Sequence, residues 1–289
     1  MKRLALCLMA AALLCACAPQ KKEARVMARE VPERADDFVF ENNLIAGRFY
    51  GKALEGNPTS PGLDIWVKLP GELVADEWYR KALSEDPNYY HKDHGGKDCY
   101  KVAVSLGGGA SVPFLDSTLC YPATNYRSAE ILSKTPDQVV FALHYPEWEA
   151  AEGIRVTLDK QVTVCADSYF LEVEDRYTFT GAERIPVAAG IKLHQDLGTV
   201  QRLLKGPEGD RWAIWEKASD VSVESEDGMI GVALIEAGAE QALITQDHAL
   251  LLKTLSSGES IRYQVGSCWS KGDIRTDEAW FEQVLARQP

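Results

Sequence analysis

Tyr169–Thr180, with the sequence YFLEVEDRYTFT, decides the fold class because its apolar and polar residues alternate. Alternation with a period of two is typical of a β-strand with one face in a core and the other in water. The apolar face carries Tyr169, Leu171, Val173, Tyr177 and Phe179. Charged residues occupy most of the opposite face, so this stretch predicts a strand of an antiparallel sheet.

The same alternation recurs along most of the chain. In Val187–Leu193 it places the apolar side chains on one face and leaves Lys192 and His194 together on the other. Gly, Pro, Asn and Asp residues separate the predicted strands at short intervals, as turns require. Further strands are predicted at Leu44–Tyr50, Leu63–Leu69, Cys99–Leu106, Val139–Tyr145, Ile154–Val164, Arg211–Glu216, Ile230–Glu236, Ala249–Leu255 and Ile261–Cys268.

Two segments have the residue spacing of helices. They are Glu72–Leu83, anchored by Trp78, and Thr276–Arg287, where Thr276 is a suitable N-cap. So many strands with so little helix favour two large antiparallel sheets packed face to face. We therefore predict an all-β protein in which residues 32–289 form a single large antiparallel two-sheet β-sandwich with a few short helices.

The N-terminus has the features of an export signal. Lys2 and Arg3 precede the apolar run Leu4–Leu14, which is too short to span a membrane as a helix. Leu14-Cys15-Ala16-Cys17 resembles a bacterial lipobox. We expect residues 1–16 to be a signal peptide, Cys17 to carry the lipid, and residues 17–31 to be a charged tether. An ordinary secretory signal is the alternative. The expected location is the cell envelope, with the protein lipid-anchored in the outer membrane and facing the periplasm.

The charge balance bounds the class of partner. The chain has 31 Lys and Arg residues against 43 Asp and Glu residues, a net charge of −12. Such a surface disfavours nucleic acid, and it disfavours anionic membranes except through a lipid anchor. It does not exclude an acidic oligosaccharide bound in a locally basic cleft. Cys99, Cys120, Cys165 and Cys268 permit three complete disulfide pairings, and the spacing of the cysteines is unlike that of a zinc knuckle.

The stretch Tyr89–Asp98, YYHKDHGGKD, holds the densest group of titratable residues. It offers imidazole, phenol and carboxylate groups for acid–base chemistry, although a solvated loop is the simpler interpretation. The spacing His91-x-x-His94 also permits a divalent metal, with Asp93, Asp98 or His194 as further ligands. Outside a helix this spacing is weak evidence for a metal, so a site without a metal or other cofactor is preferred.

Several motifs together resemble a known family. It is the bacterial domain-of-unknown-function family number forty-eight sixty-one, found in polysaccharide-degradation gene clusters. The resemblance runs from about Pro32 to the C-terminus and is carried by motifs that occur in order. These are PERADDF (32–38) with Glu41-Asn42, PGLDIWVK (61–68), YHKDHG (90–95), DCYKV (98–102), LGGG (106–109), AGIKLH (189–194), and Tyr263, Gly266 and WSKGD (269–273).

The resemblance implies a fold and a chemistry. The family is similar to galactose-mutarotase-type β-sandwich proteins, the supersandwich type, and is associated with breakdown of uronate-containing polysaccharides such as pectin and ulvan. One branch is similar to an oligosaccharide dehydratase. Family members usually carry Gly-Glu-Gly-Leu-Asp after the second histidine, whereas this chain has Gly95-Gly96-Lys97-Asp98. A role for that missing glutamate therefore does not carry over.

Elimination of water from a uronate requires a base, a group that stabilises the carboxylate, and an acid for the leaving hydroxyl. His91 or His94 is the expected base, and Arg127 is the expected carboxylate clamp. Tyr90 or Tyr100 would protonate the leaving group. The remaining candidates are His194 as a further catalytic residue and Lys192, Asp64, Trp215 and Trp269 as substrate-binding residues. We expect His91, His94, Arg127 and His194 to converge on one cleft.

Each candidate also has a structural interpretation. Arg127 is equally suited to pairing with a surface acid, Lys192 and His194 to a solvated sheet face, and the tryptophans to a core. The function has two interpretations as well. One is a lyase or dehydratase acting on uronate oligosaccharides. The other is a non-catalytic glycan-binding lipoprotein of a polysaccharide-utilisation system, in which the same cleft holds sugar without converting it.

Overall fold

The computed structural model describes residues 23–54, 61–195, 197–206, 209–218 and 227–288. Its two α-helices are α1 (Ala75–Ser84) and α2 (Asp277–Ala286). In chain order the strands are β1 (Val26–Val31), β2 (Asp37–Asn42), β3 (Ala46–Phe49), β4 (Asp64–Lys68), β5 (Gly96–Asp98), β6 (Ala110–Leu115), β7 (Thr118–Leu119), β8 (Ser128–Lys134), β9 (Gln138–Ala151), β10 (Ile154–Cys165), β11 (Phe170–Thr180), β12 (Arg184–Lys192), β13 (Val200–Gly206), β14 (Gly209–Lys217), β15 (Met229–Glu236), β16 (Gln241–Thr245), β17 (His248–Ser256) and β18 (Ser260–Trp269).

Across the described residues the strands form three antiparallel sheets. Sheet I has the order β1-β2-β3-β4-β5. Sheet II has eight strands in the order β13-β14-β15-β18-β11-β10-β9-β8, and sheet III has the order β16-β17-β12-β6-β7. The predicted all-β, antiparallel fold class with few helices is therefore confirmed.

The three sheets form two layers around a shared core. One face of sheet II packs against both smaller sheets, and buried side chains of all three sheets belong to one cluster. Phe141 of sheet II meets Phe38 of sheet I with ring centroids 4.4 Å apart. A parallel bridge between Leu63 and Gly107 joins sheets I and III side by side within the second layer. The layers are therefore one large sheet against two joined smaller ones.

Gly107 makes that junction possible. Its φ is +55°, which lies in the left-handed region that favours glycine. A Cβ at this position would lie 2.4 Å from the carbonyl oxygen of Leu63, closer than any real side chain is found. The main chains of sheets I and III can approach this closely because the residue has no side chain.

Each helix covers part of the outer face of one layer. α1 packs on sheet I, where the ring of Trp78 lies 5.7 Å from that of Trp66. α2 packs on sheet II, where Trp280 stacks on Phe170 at 5.6 Å. Thr276 caps α2 as predicted, because its hydroxyl accepts a hydrogen bond from the Ala279 N–H.

Three predictions need correction or comment. Cys99–Leu106 is not a strand: Ala103 has a φ of +49°, and the segment crosses from β5 to the glycines before β6. The tether was predicted too long, because Val26–Val31 pairs with β2 as the first strand of sheet I. The predicted signal peptide and Cys17 lie outside the described residues.

Two further observations concern the cysteines and the membrane. The four cysteines Cys99, Cys120, Cys165 and Cys268 are free thiols, and Cys99 and Cys268 are buried. Within the ranges given above, no helix has both the length and the apolar content to cross a membrane.

Candidate functional site

The motifs that carry the family resemblance meet in space around residues 89–109. The bridge from Leu63 brings the second motif to Gly107, and the Gly107 carbonyl accepts a hydrogen bond from the Lys192 N–H at 2.8 Å. From the C-terminal motif, Lys271 reaches Asp93 at 2.7 Å. Segments far apart in sequence therefore converge on the stretch 89–109, which contains the two histidines near its start.

A buried group of charges lies beside this loop on the outer face of sheet I. We call it the Arg48 cluster, and it consists of Asp37, Arg48, Asp64 and Asp98. Arg48 donates to Asp64 at 2.7 Å and to Asp98 at 2.7 Å, and its Nη1 lies 3.6 Å from Asp37. All four residues are at most 4% exposed. Charges buried this completely need partners, which explains why they occur as a group.

The strand pleat places these charges on one face. In β4 the side chains of Asp64 and Trp66 point outward while Ile65 points into the core shared with sheet II. This outward face is not solvated, because α1 and the 3₁₀ turn Tyr89–His91 cover it. The alternation of charged and apolar residues in β4 is typical of a half-exposed strand, yet tertiary packing buries both faces.

Aromatic rings enclose the Arg48 guanidinium. It lies 5.5 Å from the ring of Tyr50, 5.2 Å from Trp66 and 5.4 Å from Tyr90. Tyr90 also stacks on Trp66, with centroids 5.5 Å apart and planes 13° apart. A cation held between ring faces and carboxylates is fixed in position, so Arg48 is a rigid anchor for the carboxylates around it.

The charges in the Arg48 cluster do not balance, since three carboxylates surround one guanidinium. Arg34 adds a second cation from the rim, 2.8 Å from Asp37. Burial nevertheless raises the pKa of Asp37 to about 6, despite the opposing influence of Arg48 and Arg34. Asp37 therefore takes up a proton near pH 6, at a higher pH than a solvated aspartate, although it is mostly ionised at neutral pH.

Several buried polar atoms around Arg48 have no hydrogen-bond partner among the described residues. They are Nη1 of Arg48, Oδ1 of Asp64, Nε1 of Trp66 and the hydroxyl of Tyr79. Buried donors and acceptors are nearly always satisfied in folded proteins. A group of them at one place is a feature of sites that bind small polar molecules.

His91 lies at the rim of the Arg48 cluster. Its Nδ1 is 3.3 Å from the carbonyl oxygen of Asp98 and 3.7 Å from the Asp98 carboxylate. The imidazole is 25% exposed, so it connects the buried charges to solvent. His94 is exposed and stacks on Tyr89, with ring centroids 3.9 Å apart.

His194 contacts Lys101, at the far end of the segment that begins at Asp98 beside His91. Its Nδ1 is 2.6 Å from Glu216, and its Nε2 is 2.7 Å from the carbonyl oxygen of Lys101. Acceptors at both nitrogens favour the doubly protonated ring. Burial is the largest single influence and lowers the pKa of His194, but the hydrogen bond to Glu216, the charge of Glu216 and the hydrogen bond to the Lys101 carbonyl together outweigh burial, so the pKa is raised.

The two imidazoles contact carbonyl groups three residues apart, those of Asp98 and Lys101. Three residues of extended chain span at most about 10 Å. Between them, Tyr100 packs edge-on against His194 at 4.8 Å and donates to the carbonyl of Lys192 at 3.1 Å. His91, Tyr100 and His194 therefore lie along one short stretch of chain.

The structure places four further residues of the predicted site, which are Asp64, Tyr90, Lys192 and Trp269. Asp64 and Tyr90 belong to the cluster and its aromatic enclosure, as described above. The Lys192 ammonium lies 3.5 Å from Asp247 and is partly exposed. Trp269 is buried, and its indole donates to the carbonyl of Asp227, whose carboxylate pairs with buried Lys97 at 2.8 Å.

The structure does not bring Trp215 to this site. Its ring lies beneath α2 in a cluster with Phe170 and Trp280, on the face of sheet II opposite to the shared core. Arg127 is exposed at the start of β8, and its backbone N–H donates to His144. The residue before it, Tyr126, donates to the carbonyl of Asp36, so Arg127 comes from a segment that packs beside the Arg48 cluster.

Several residues of this site are not indicated by the sequence. No motif points to Arg48 or Asp37 as site residues, and the pattern around Glu216 predicts only a strand. A charged residue flanked by aromatic and apolar neighbours, as in Arg48-Phe49-Tyr50, was the available indication. In the ranges that the structure describes, no three His, Cys, Asp or Glu side chains are grouped so as to hold a metal ion.

Comparison with known proteins gives the following similarities. The chain is 29% identical over 275 residues to "Uncharacterized protein P7" of Formosa agariphila, covering 89% of this chain and 65% of that protein. The chain therefore spans about two thirds of the length of this curated relative.

Solved structures are similar at lower levels. A GH36 α-galactosidase from Geobacillus stearothermophilus aligns with a TM-score of 0.42 and 12% identity, covering 91% of this chain and 44% of that one. A galactose mutarotase related enzyme from Lactobacillus acidophilus aligns with a TM-score of 0.32 and 9% identity, covering 80% and 97%. The model of the family described as "Domain of unknown function (DUF4861)" matches residues 16–288, and the chain belongs to this family.

Proposed function

We propose that the protein binds acidic oligosaccharides at the His91 site and eliminates water from a uronate residue. The observation that supports this most directly is the partly exposed imidazole of His91, placed against Asp98, which Arg48 anchors from below. An acid–base group at the mouth of a buried charge cluster is typical of a catalytic site. The proposed chemistry uses side chains of the protein alone and does not require a cofactor.

His91 is the proposed base. A proton on Nδ1, donated towards Asp98, leaves Nε2 as the nitrogen that accepts a proton from substrate. It would take the proton from the carbon bearing the carboxylate. The electrons of that C–H bond form a C=C bond, and the C–O bond on the next carbon breaks.

Tyr90 is the proposed acid, because its ring lies 4.6 Å from that of His91 and is fixed by stacking on Trp66. Its phenol would protonate the departing hydroxyl to give water, and the imidazolium returns a proton to the phenolate through solvent. Tyr100 is less suited, because burial raises the pKa of its phenol and its hydroxyl already donates to a main-chain carbonyl.

Arg127 remains the proposed clamp for the substrate carboxylate, since it is exposed on a segment that packs beside the cluster. Arg34 is a second cation in this role. It is partly exposed and lies between Asp37 and Tyr90. A guanidinium suits a planar carboxylate because two parallel N–H groups can bind its two oxygens.

The test is incubation with uronate oligosaccharides, followed by mass spectrometry for products that have lost one water. We expect the native chain to give this product and His91→Ala to reduce the rate by at least about 100-fold, as for loss of a general base. Arg184→Gln, an exposed change in sheet III, is the control and should retain the native rate. If His91→Ala retains the native rate, the proposed mechanism is wrong.

A non-catalytic glycan-binding role is the second candidate. One observation favours it: both nitrogens of His194 and the hydroxyl of Tyr100 are already bound to groups of the protein. Under this alternative the same oligosaccharides bind, calorimetry detects heat of binding, and no mass is lost on prolonged incubation.

We further propose that the protein is held in the cell envelope through a lipid on Cys17, facing the periplasm. The lipobox-like sequence Leu14–Cys17 after an apolar run supports this. Metabolic labelling with a fatty-acid analogue should mark the native chain and not Cys17→Ser. Equal labelling of both proteins would contradict the proposal.

A further inference from the structure

The face of sheet II that points away from the shared core is divided into two halves. α2 covers the half built by β13, β14, β15 and part of β18 with apolar contacts. Neither α1 nor α2 packs on the other half, over β9, β10, β11 and β18, whose described outward side chains are mostly polar. Two cavities of about 420 Å³ and 500 Å³ lie on this second half.

The two cavities are one continuous groove. Both are lined by Gln161, Glu174 and Arg262, which occupy adjacent positions in one row across β10, β11 and β18. A second row contains His144, Asp159 and Arg176. Adjacent strands lie about 4.8 Å apart, so a groove crossing from β9 to β15 is about 19 Å long. This length accommodates several linked sugar rings.

The carboxylates of the groove already have cationic partners. Glu174 makes two hydrogen bonds of 3.0 Å to Arg262. Asp159 lies 2.7 Å from His144, and this hydrogen bond raises the pKa of that imidazole. The groove therefore does not present its carboxylates as unshielded negative charge.

Arg176 differs from these residues. It is exposed, and it lies in register with Asp159 on one side and Ser260 on the other. Within the ranges that the structure describes, its guanidinium forms no direct ion pair, because Asp159 pairs with His144 and Glu174 with Arg262, although the Arg176 charge adds to the hydrogen bond from Arg262 in lowering the pKa of Glu174. Arg176 is thus an exposed cation in the groove that the carboxylate of a ligand can contact.

The end of α2 forms a wall of the groove. Arg287 donates to Gln264 at 2.7 Å and lies 3.3 Å from Glu172, so both of these sheet residues are held in place. Gln161 is exposed and contributes an amide, which donates to and accepts from hydroxyl groups, whereas the buried amide of Gln264 is held by Arg287 and the Gln288 carbonyl and forms part of the wall. The arrangement combines an exposed amide with the Arg176 guanidinium, and this suits a hydroxyl-rich ligand that carries a carboxylate.

We propose that this groove is a second saccharide-binding surface, which holds a neighbouring stretch of an acidic oligosaccharide with Arg176 on its carboxylate. The choice of a saccharide as the ligand rests on the proposed function. The description of the groove rests on the structure alone. The groove cannot be part of the His91 site, because the outer faces of sheets I and II are on opposite sides of the sandwich. The molecule would then contact a long chain at two separate places.

The test uses titration calorimetry with an oligogalacturonate and the full chain. The background is His91→Ala, so that conversion of the sugar does not interfere. Arg176→Gln in that background should weaken binding about tenfold or more, which is the usual effect of losing a charged hydrogen bond. Arg184→Gln is the matched control, and a neutral oligosaccharide of equal length should bind more weakly than the acidic one.

A second measurement locates the ligand directly. The side-chain amide NMR signals of Gln161 and Gln264 should shift during the titration. Unchanged affinity in Arg176→Gln together with unshifted glutamine amide signals would contradict the proposal that the groove binds the oligosaccharide. Absence of water elimination in the native chain, with tenfold weakening in Arg176→Gln, would instead overturn the proposed reaction and leave the groove supported.

Discussion

At the scale of single residues, the site shows two histidines in different states. His91 is partly exposed, and its Nδ1 faces Asp98. His194 is nearly buried, with acceptors at both ring nitrogens. Only the first has the environment of a group that exchanges protons with a ligand. The second holds together the segments that position Tyr100 and Lys101.

The pairing of His194 with Glu216 predicts a pH dependence of stability. The pKa of His194 is raised in the folded protein, so folding binds a proton that the unfolded chain releases near pH 6.5. The stabilisation is complete below that pH and is lost as the pH rises through the folded pKa. Glu216→Gln should lower the pKa of His194 and remove the decrease in stability with rising pH. NMR titration of the imidazole measures the pKa, and urea unfolding at several pH values measures the stability.

The native and Glu216→Gln proteins should differ most in unfolding free energy below pH 6.5, by about 1.5–3 kcal/mol for a charged hydrogen bond. His94→Asn, at an exposed histidine that stacks on Tyr89, serves as a control for general effects of pH. An unchanged pKa of His194 in Glu216→Gln would show that the pairing does not govern its protonation.

At the scale of secondary-structure elements, the junction of sheets I and III depends on Gly107. Gly107→Ala should be strongly destabilising, because its Cβ would lie 2.4 Å from a main-chain oxygen and its φ is +55°. Gly153→Ala is the matched control, since Gly153 also has positive φ, +73°, but nothing lies within 4 Å of its added Cβ. We expect about 1–2 kcal/mol from the backbone conformation alone at Gly153 and clearly more at Gly107.

Thermal or urea unfolding of the two variants measures this difference. Equal losses at both positions would mean that the chain around Leu63 moves aside freely. In that case the bridge would not fix the relation of the two sheets.

The elements also show how far the sequence determines the fold. Strands with one apolar face, such as β10, β11 and β12, were predictable because half-burial produces alternation. β8 was not predicted, because it is an edge strand with nearly all of its residues exposed and shows no apolar face. Cys99–Leu106 resembles a strand in sequence because Tyr100, Val102, Val104 and Leu106 alternate with other residues, yet Val104 is 46% exposed in the structure.

The candidate site was predictable only in part. The loop of His91 was found because its titratable residues are dense in sequence. The Arg48 cluster was missed, because Arg48, Asp64 and Asp98 are separated along the chain and meet only through pairing of β3, β4 and β5. Their burial depends on the cover provided by α1, which no local pattern in these strands indicates.

At the scale of the whole molecule, the shared core determines how the layers behave together. Phe141 of sheet II contacts three phenylalanines of sheet I, with centroids 4.4 Å from Phe38 and 6.3 Å from both Phe40 and Phe49. Side chains of sheet III belong to the same buried cluster. Smaller buried clusters lie under α1 and under α2, but the cluster that the three sheets share contains most of the buried apolar side chains, so the three sheets should unfold together.

Phe141→Ala tests this. Removing a fully buried ring should lower the free energy of unfolding by about 3–5 kcal/mol, whereas Ile131→Ala, at a side chain 42% exposed, should change it by no more than about 0.5 kcal/mol. Hydrogen exchange followed by mass spectrometry should show peptides of β3 in sheet I, β10 in sheet II and β17 in sheet III losing protection by the same amount in Phe141→Ala. Loss of protection confined to sheet I would show that this sheet opens as a separate unit. The His91 site would then lie on a layer that moves independently of the groove on sheet II.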